Sequence, residues 1–189
     1  MEIKMNTPIT SDKIKSLHAG DLVYITGKIY TGRDAAHQRL VQLLNEQKPL
    51  PIDFVDQVIY YTGPTPAKEG RPIGSCGPTS SYRMDPFADQ LMGIGLKVMI
   101  GKGDRSDQFI DDMLFHKGIY MQTVGGAGAL LSRRVKQSRM VAFHDLGPEA
   151  IYELEVEDFP VIVTYDIYGG NLIKDEVKKY QSIDKQIYE

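Results

Sequence analysis

DLVYITGKIY (21–30) followed by GRDAAHQRLVQLLNEQ (32–47) is the stretch that decides how this chain is built. The first segment is rich in β-branched and aromatic residues with one glycine interrupting it. The second places Ala36, Leu40, Leu43 and Leu44 on one helical face, with Asp34 near its start. A strand therefore feeds a helix. Downstream, VIYYTG (58–63) reads as a second strand, and the prolines and glycines of PTPAKEGRPIGSCG (64–77) demand loop or edge geometry. A helix is expected over about 85–96, from DPFADQLMGIGL, and KVMIGKG (97–103) returns as a short buried strand. SDQFIDDMLFHKG (106–118) has a serine cap and a glycine stop around an amphipathic helix, and IYMQTVGGAGALLS (119–132) reads as strand, glycine turn, helix. RMVAFHDLG (139–147), AIYELEVEDFP (150–160) and VIVTYDIYGG (161–170) then follow as strands with no helix between them. The pattern is α/β, with a parallel portion beside an antiparallel or mixed one, and β-rich ends around a helical middle suggest two packed sheet layers.

The 189 residues suit a single domain, 1–189, whose charged tail from Lys174 to Glu189 is expected to be peripheral. No internal repeat, low-complexity run or linker divides the chain. The formal net charge of −3 argues against a nucleic-acid surface, so any basic site must be local. No apolar run approaches the roughly 20 residues of a membrane span. MEIKMNTPIT (1–10) lacks a signal-peptide core and there is one cysteine, Cys76, so the expected compartment is the cytoplasm. His18, His37, His116 and His144 show no i, i+4 pairing, and one cysteine cannot hold a zinc or iron–sulfur site unaided, so no metal is assigned to this chain. Nothing specifies a Cys-His pair either, and a small buried or loop cysteine is the plainer account of Cys76.

Three strand-end clusters carry the chemistry. In GPTSSYRMDPF (77–87), Pro78 presets helical geometry, and Thr79, Ser80 and Ser81 offer hydroxyls and backbone N–H groups at a helix start, an anion seat. Arg83 stands one turn on with a bidentate fork. The plainer reading is an N-cap followed by a surface arginine. In GRDAAH (32–37), Arg33 projects from a strand end, Asp34 could cap the helix and His37 lies one turn further; alone, these read as a cap, a surface ion pair and a helix-surface histidine. In IGKGDR (100–105), glycines flank Lys102 and leave its ammonium uncovered. This is not a Walker A loop, since Leu96 stands where its first glycine belongs and Gly103 where its Ser/Thr belongs. GGAGA (125–129) also lacks a full dinucleotide fingerprint. Two guanidinium groups and an ammonium suit a small dicarboxylate.

TGRDAAHQRL, YYTGP, GPTSSYRMDPF and MIGKG, in that order, resemble the β subunit of iron–sulfur-dependent class I fumarases and L(+)-tartrate dehydratases, a region that is the C-terminal domain of single-chain members. The resemblance extends from TPITSDKIKSLHAGDLVYITG to VTYDIYGGNLI. It implies a swivelling β/β/α three-layer domain with a parallel central sheet, an antiparallel second sheet and helices on one outer side. It also implies a 4Fe-4S cluster held through three cysteines of a partner α subunit, with one iron open to substrate and none bound by this chain. By match, Arg33, Arg83 and Lys102 would bind substrate carboxylates, while Thr79 and His37 would be the catalytic pair, either one taking the proton. The expected reaction is reversible dehydration of a 2-hydroxy dicarboxylate, malate/fumarate ahead of tartrate, with iron acting as the Lewis acid on the departing hydroxyl. Activity is expected only with the α subunit in a hetero-oligomer, a homodimer being the form open to the isolated chain. Another iron–sulfur hydro-lyase subunit, or a non-catalytic anion-binding module that regulates a partner, are the alternatives.

Overall fold

A computed structural model describes residues 2–187. Among the described residues, seven strands and six α-helices follow one another in chain order: β1 (Glu2–Asn6), α1 (Ser11–Ile14), β2 (Leu22–Thr31), α2 (Asp34–Asn45), β3 (Val58–Tyr60), α3 (Asp85–Gly93), β4 (Val98–Gly101), α4 (Asp107–Phe115), β5 (Ile119–Gln122), α5 (Gly128–Leu131), β6 (Val135–Ala142), β7 (Ile151–Tyr165) and α6 (Leu172–Ile187). The strands lie in the order β1-β2-β3-β4-β5-β7-β6, and β2 also pairs with β7. β2, β3, β4, β5 and β7 therefore close into a five-strand ring with β1 and β6 outside it. β1 to β5 run parallel; β7 is antiparallel to β2, β5 and β6.

The expected parallel and antiparallel portions are both present, but as one continuous sheet rather than two. The join is made by β7, which reads in the sequence as two strands and is one of 15 residues. Pro160 hides this continuity. β6 pairs with residues 151–156 of β7 and β5 with 162–165, so Pro160 has only β2 beside it, opposite Tyr24, and its missing N–H costs no second ladder bond. The ring bends where the β2–β7 register shifts between Ile25 and Gly27. Gly27 has φ +113°, and a Cβ there would overlap Thr7 Oγ1.

Alternation along the parallel strands sorts two cores. Val58, Tyr60, Val98, Ile100, Ile119 and Met121 face the ring interior, where they meet Val23, Ile25, Ile29, Leu154, Phe159 and Val161. Ile59, Met99 and Tyr120 face the other way, onto Ala36, Leu40, Ala88, Leu91, Met92, Phe109 and Met113 of α2, α3 and α4. Both faces of these strands are covered, as parallel sheets require. α3 stops at Gly93, short of the expected 96, because the chain turns at Gly95. Ser106 caps α4 by accepting from the Phe109 N–H at 3.1 Å. β1, a half-exposed outer strand with charged residues, and α1, a single turn, carry too little pattern to be read in advance. Residues 174–187 of the charged tail belong to α6, and 188–189 lie outside the described residues. Among the described residues no helix is long and apolar enough to cross a membrane.

Candidate functional site

Adjacent parallel strands deliver their carboxyl ends to one edge of the ring, and the sequence clusters sit there. β2 ends at Thr31 and hands the chain to Arg33, which precedes α2. β3 ends at Tyr60 and leads to Tyr61, whose carbonyl accepts the Thr79 N–H at 2.8 Å while its own N–H donates to Ile100 O at 2.8 Å. β4 ends at Gly101, and Lys102 forms a parallel bridge with Ser80. Such edges are where open α/β sheets gather ligands.

The loop at 79–81 differs from the expected anion seat. Thr79 N–H is committed to Tyr61 O and Ser81 N–H to Lys102 O at 3.0 Å, so two of the three backbone donors serve the sheet edge. Ser81 Oγ accepts from Lys102 N–H at 3.0 Å and from the Tyr120 hydroxyl at 2.9 Å. α3 begins at Asp85, as expected, and Ser81–Met84 before it is a 3-10 turn, so residues 79–81 do not stand at the helix start itself. What remains available are the Thr79 and Ser80 hydroxyls and the Ser80 N–H, on two half-buried residues, none of which makes a hydrogen bond among the described residues. This packing is tight. A Cβ on Gly101 would overlap Ser81 Oγ and stand 2.9 Å from the Tyr61 ring.

Arg33 and Arg83 meet through Asp34. The sequence suggests that Asp34 caps α2, but it makes no cap hydrogen bond. Instead its Oδ1 lies 2.8 Å from Arg83 Nε, and its Oδ2 lies 3.8 Å from Arg33 Nη2. Glu149 adds a second carboxylate, 3.4 Å from Arg33 Nη2 and accepting the Ala35 N–H at 3.2 Å. Two guanidinium charges are thus balanced by two carboxylates. Lys102 has no ion pair among the described residues and opens onto a cavity of about 750 Å³. Arg133 and Arg134 also line that cavity, and no acidic residue does.

His37 is placed differently from the others. Its side chain is buried against the Tyr61 and Phe87 rings, 1% exposed. Nδ1 lies 2.9 Å from Arg33 O, so the neutral ring donates there and Nε2 keeps a lone pair with no partner. Burial pulls its pKa down to about 4; the bond to Arg33 O opposes this and the Arg105 charge adds to it. The histidine is neutral at pH 7.

Sequence reasoning did not single out Arg105 and Asp85. The Arg105 guanidinium is fully buried, its Nε 2.6 Å from Asp85 Oδ1, its Cζ 3.3 Å from the Phe109 ring centroid and 4.8 Å from that of Tyr120. Asp85 Oδ2 also accepts the Ser106 N–H at 2.7 Å, so the pair ties the connection after Lys102 to the start of α3. Nothing in the spacing of IGKGDR and RMDPF distinguishes this from two surface charges. Cys76 is buried, Sγ 4.0 Å from Gly128 O, and burial pushes its thiol up to about 12. No cluster of three or more His, Cys, Asp or Glu among the described residues could hold a metal ion.

One parallel-sheet edge thus gathers Arg33, Arg83 and Lys102 with the Thr79 hydroxyl. The Fumarase C-terminus family profile matches residues 1–176, and the chain belongs to that family. It is 41% identical over 157 residues to the anaerobic class I fumarate hydratase of Escherichia coli K12, which covers 82% of this chain and 29% of that enzyme. It is 35% identical over 195 residues to a Methanocaldococcus jannaschii protein provisionally named L(+)-tartrate dehydratase subunit beta, covering 100% of this chain and 96% of that one. Fumarate hydratase 1, mitochondrial, of Leishmania major is 38% identical over 152 residues, covering 79% of this chain and 28% of that enzyme. The chain thus spans under a third of the length of these two fumarate hydratases and nearly all of the subunit-beta relative.

Proposed function

We propose that this chain is the β subunit of a hydro-lyase, the half that recognises a 2-hydroxy dicarboxylate and handles its proton, with malate/fumarate as the favoured pair. The carrying observation is that Arg33 and Lys102, which follow the ends of β2 and β4, share one sheet edge with the loop of Thr79 and Arg83, which folds back onto Tyr61 and Lys102, in a chain of this family. Arg33 and Arg83 take substrate carboxylates through their forks, and Lys102 supplies the uncompensated charge that draws the dianion in. Dehydration breaks a C–H bond beside one carboxylate; its electrons form the double bond as the C–O bond on the next carbon breaks, and the proton taken from carbon and the departing hydroxide together account for the water released. The cations stabilise charge that builds on the carboxylate during this step. Thr79 is assigned the proton because its hydroxyl is free and reaches the edge. An unassisted hydroxyl is a poor base, and Lys102 on the next strand is the cation that favours its deprotonated form. His37, neutral and buried, is assigned to holding the turn at Arg33.

The residues of this chain do not fit an iron–sulfur cluster. Its only cysteine is a buried, protonated thiol, so the 4Fe-4S cluster is assigned to the α subunit. When bound there, an iron–sulfur cluster supplies Lewis acidity toward the leaving hydroxyl. We read residues 1–189 as one module of the swivelling three-layer type. The β6–β7–β2 wall, the β3–β4–β5 wall and the α2–α3–α4 layer correspond to its two sheets and its helices. A cytoplasmic location is retained as part of the proposal.

The near end-to-end match to the subunit-beta relative favours tartrate as the second reading. Steady-state rates of the assembled enzyme on malate, fumarate and L(+)-tartrate test the assignment. Turnover of malate and fumarate at least tenfold above tartrate is expected. A preference for tartrate moves the chain to the second reading, and absence of turnover on all three favours the non-catalytic anion-binding alternative.

A further inference from the structure

The two arginines come from distant segments, one before α2 and one in the Ser81–Met84 turn, and Asp34 is the side chain that reaches both. Its Oδ1 forms an ion pair with Arg83, 2.8 Å from Nε, whereas Arg33 Nη2 stands farther off, 3.8 Å from Oδ2. Oδ2 is buried and has no hydrogen-bond partner. A buried carboxylate oxygen without a donor is costly, and here the first turn of α2 offsets part of that cost through its positive end. Anchoring Arg83 by Nε leaves its Nη1/Nη2 edge as the bidentate face. That side chain is 41% exposed, so the face is open to a ligand.

We infer that Asp34 is a positioning residue that fixes the Arg83 fork beside Arg33; this rests on the dicarboxylate reading above. The carboxylate therefore acts in two opposed ways. As an acceptor it orients Arg83, and as a charge it cancels part of the attraction for an incoming dianion. The two can be separated chemically. Asp34→Asn keeps an oxygen acceptor for the Nε–H and removes the charge; Asp34→Ala removes both; Asp34→Glu keeps the charge and moves the acceptor by one methylene.

The first readout uses the full chain alone, labelled with ¹⁵N. Arg83 Nε–H should give a solvent-protected resonance in the native protein and in Asp34→Asn, and lose that protection in Asp34→Ala. The second is kinetics of the complex with the α subunit. KM for the dicarboxylate should rise about 10- to 100-fold in Asp34→Ala, rise in Asp34→Glu, and stay level or fall in Asp34→Asn. An unprotected Arg83 Nε–H in the native chain overturns the inference. So does a KM within twofold of the native value in Asp34→Ala, or in Asp34→Glu should the alanine variant fail to fold. A fall in KM in all three variants also overturns it, leaving Asp34 an electrostatic brake only. If the Nε–H signals behave as expected while the complex turns over no dicarboxylate, the hydro-lyase reading fails and the tether stands.

Discussion

At the scale of single residues, the site turns on what each charge is facing. Arg33, Arg83 and Lys102 are conspicuous in an acidic chain, and the structure puts all three at one sheet edge. The sequence could not show that Asp34 would serve Arg83 rather than cap its own helix, because that pairing depends on how the loop after β3 folds back. Nor does a histidine on a helix announce its burial. The burial of His37 has a consequence for stability. A histidine whose folded pKa is about 4, against 6.5 in the unfolded chain, leaves the unfolded state binding more protons between those values. Its contribution is fully present above pH 6.5 and is lost as pH falls toward 4, amounting to about 3 kcal/mol at most. Denaturant unfolding measured from pH 7 to pH 4 should show that decline, and His37→Asn, which cannot titrate, should show a shallower one. Parallel curves for the two proteins would place the titration elsewhere.

At the scale of elements, periodicity made most strands and helices legible, since β4 and β5 are short apolar runs between glycines, β3 is one that runs on to Gly63, and α2 and α4 have clear apolar faces. The failures share one cause: pairing that depends on distant partners. Pro160 suggests a break in β7 that its one-sided neighbourhood makes harmless, and the backbone donors at 79–81 suggest an anion seat, two of whose three N–H groups the sheet edge takes. The packing of that loop onto β4 gives an element-level test. Gly101→Ala places a methyl against Ser81 Oγ and the Tyr61 ring, an overpacking expected to cost about 1–3 kcal/mol. It should lower thermal stability and, in the assembled enzyme, lower turnover as the Thr79 segment shifts. A variant with native melting temperature and native turnover would mean that the loop is not held by this contact.

At the scale of the whole molecule, the fold is a closed ring with helices over one side and a cationic cavity at Lys102 on another. Val124, Leu130 and Ile162 are exposed around that cavity, and Lys102, Arg133 and Arg134 line it without an acidic neighbour. Relatives three times longer carry further polypeptide beside the matching region. We therefore expect the α subunit to seat here with an acidic and apolar surface. Arg133→Glu combined with Arg134→Glu should weaken assembly at least tenfold and flatten its salt dependence, as measured by calorimetry at low and high ionic strength. Unchanged affinity and salt dependence would put the α subunit on a different face. The central claim remains that paired arginines on this chain bind the substrate of an enzyme completed by another subunit. It is tested most directly by malate dehydration rates of the chain alone, the α subunit alone and the reassembled pair, with native Arg83 and with Arg83→Lys. The account predicts turnover only in the reassembled pair, falling about 100-fold or more when lysine keeps the charge but loses the fork. Turnover by this chain alone, or a reassembled Arg83→Lys enzyme with native kinetics, would contradict it.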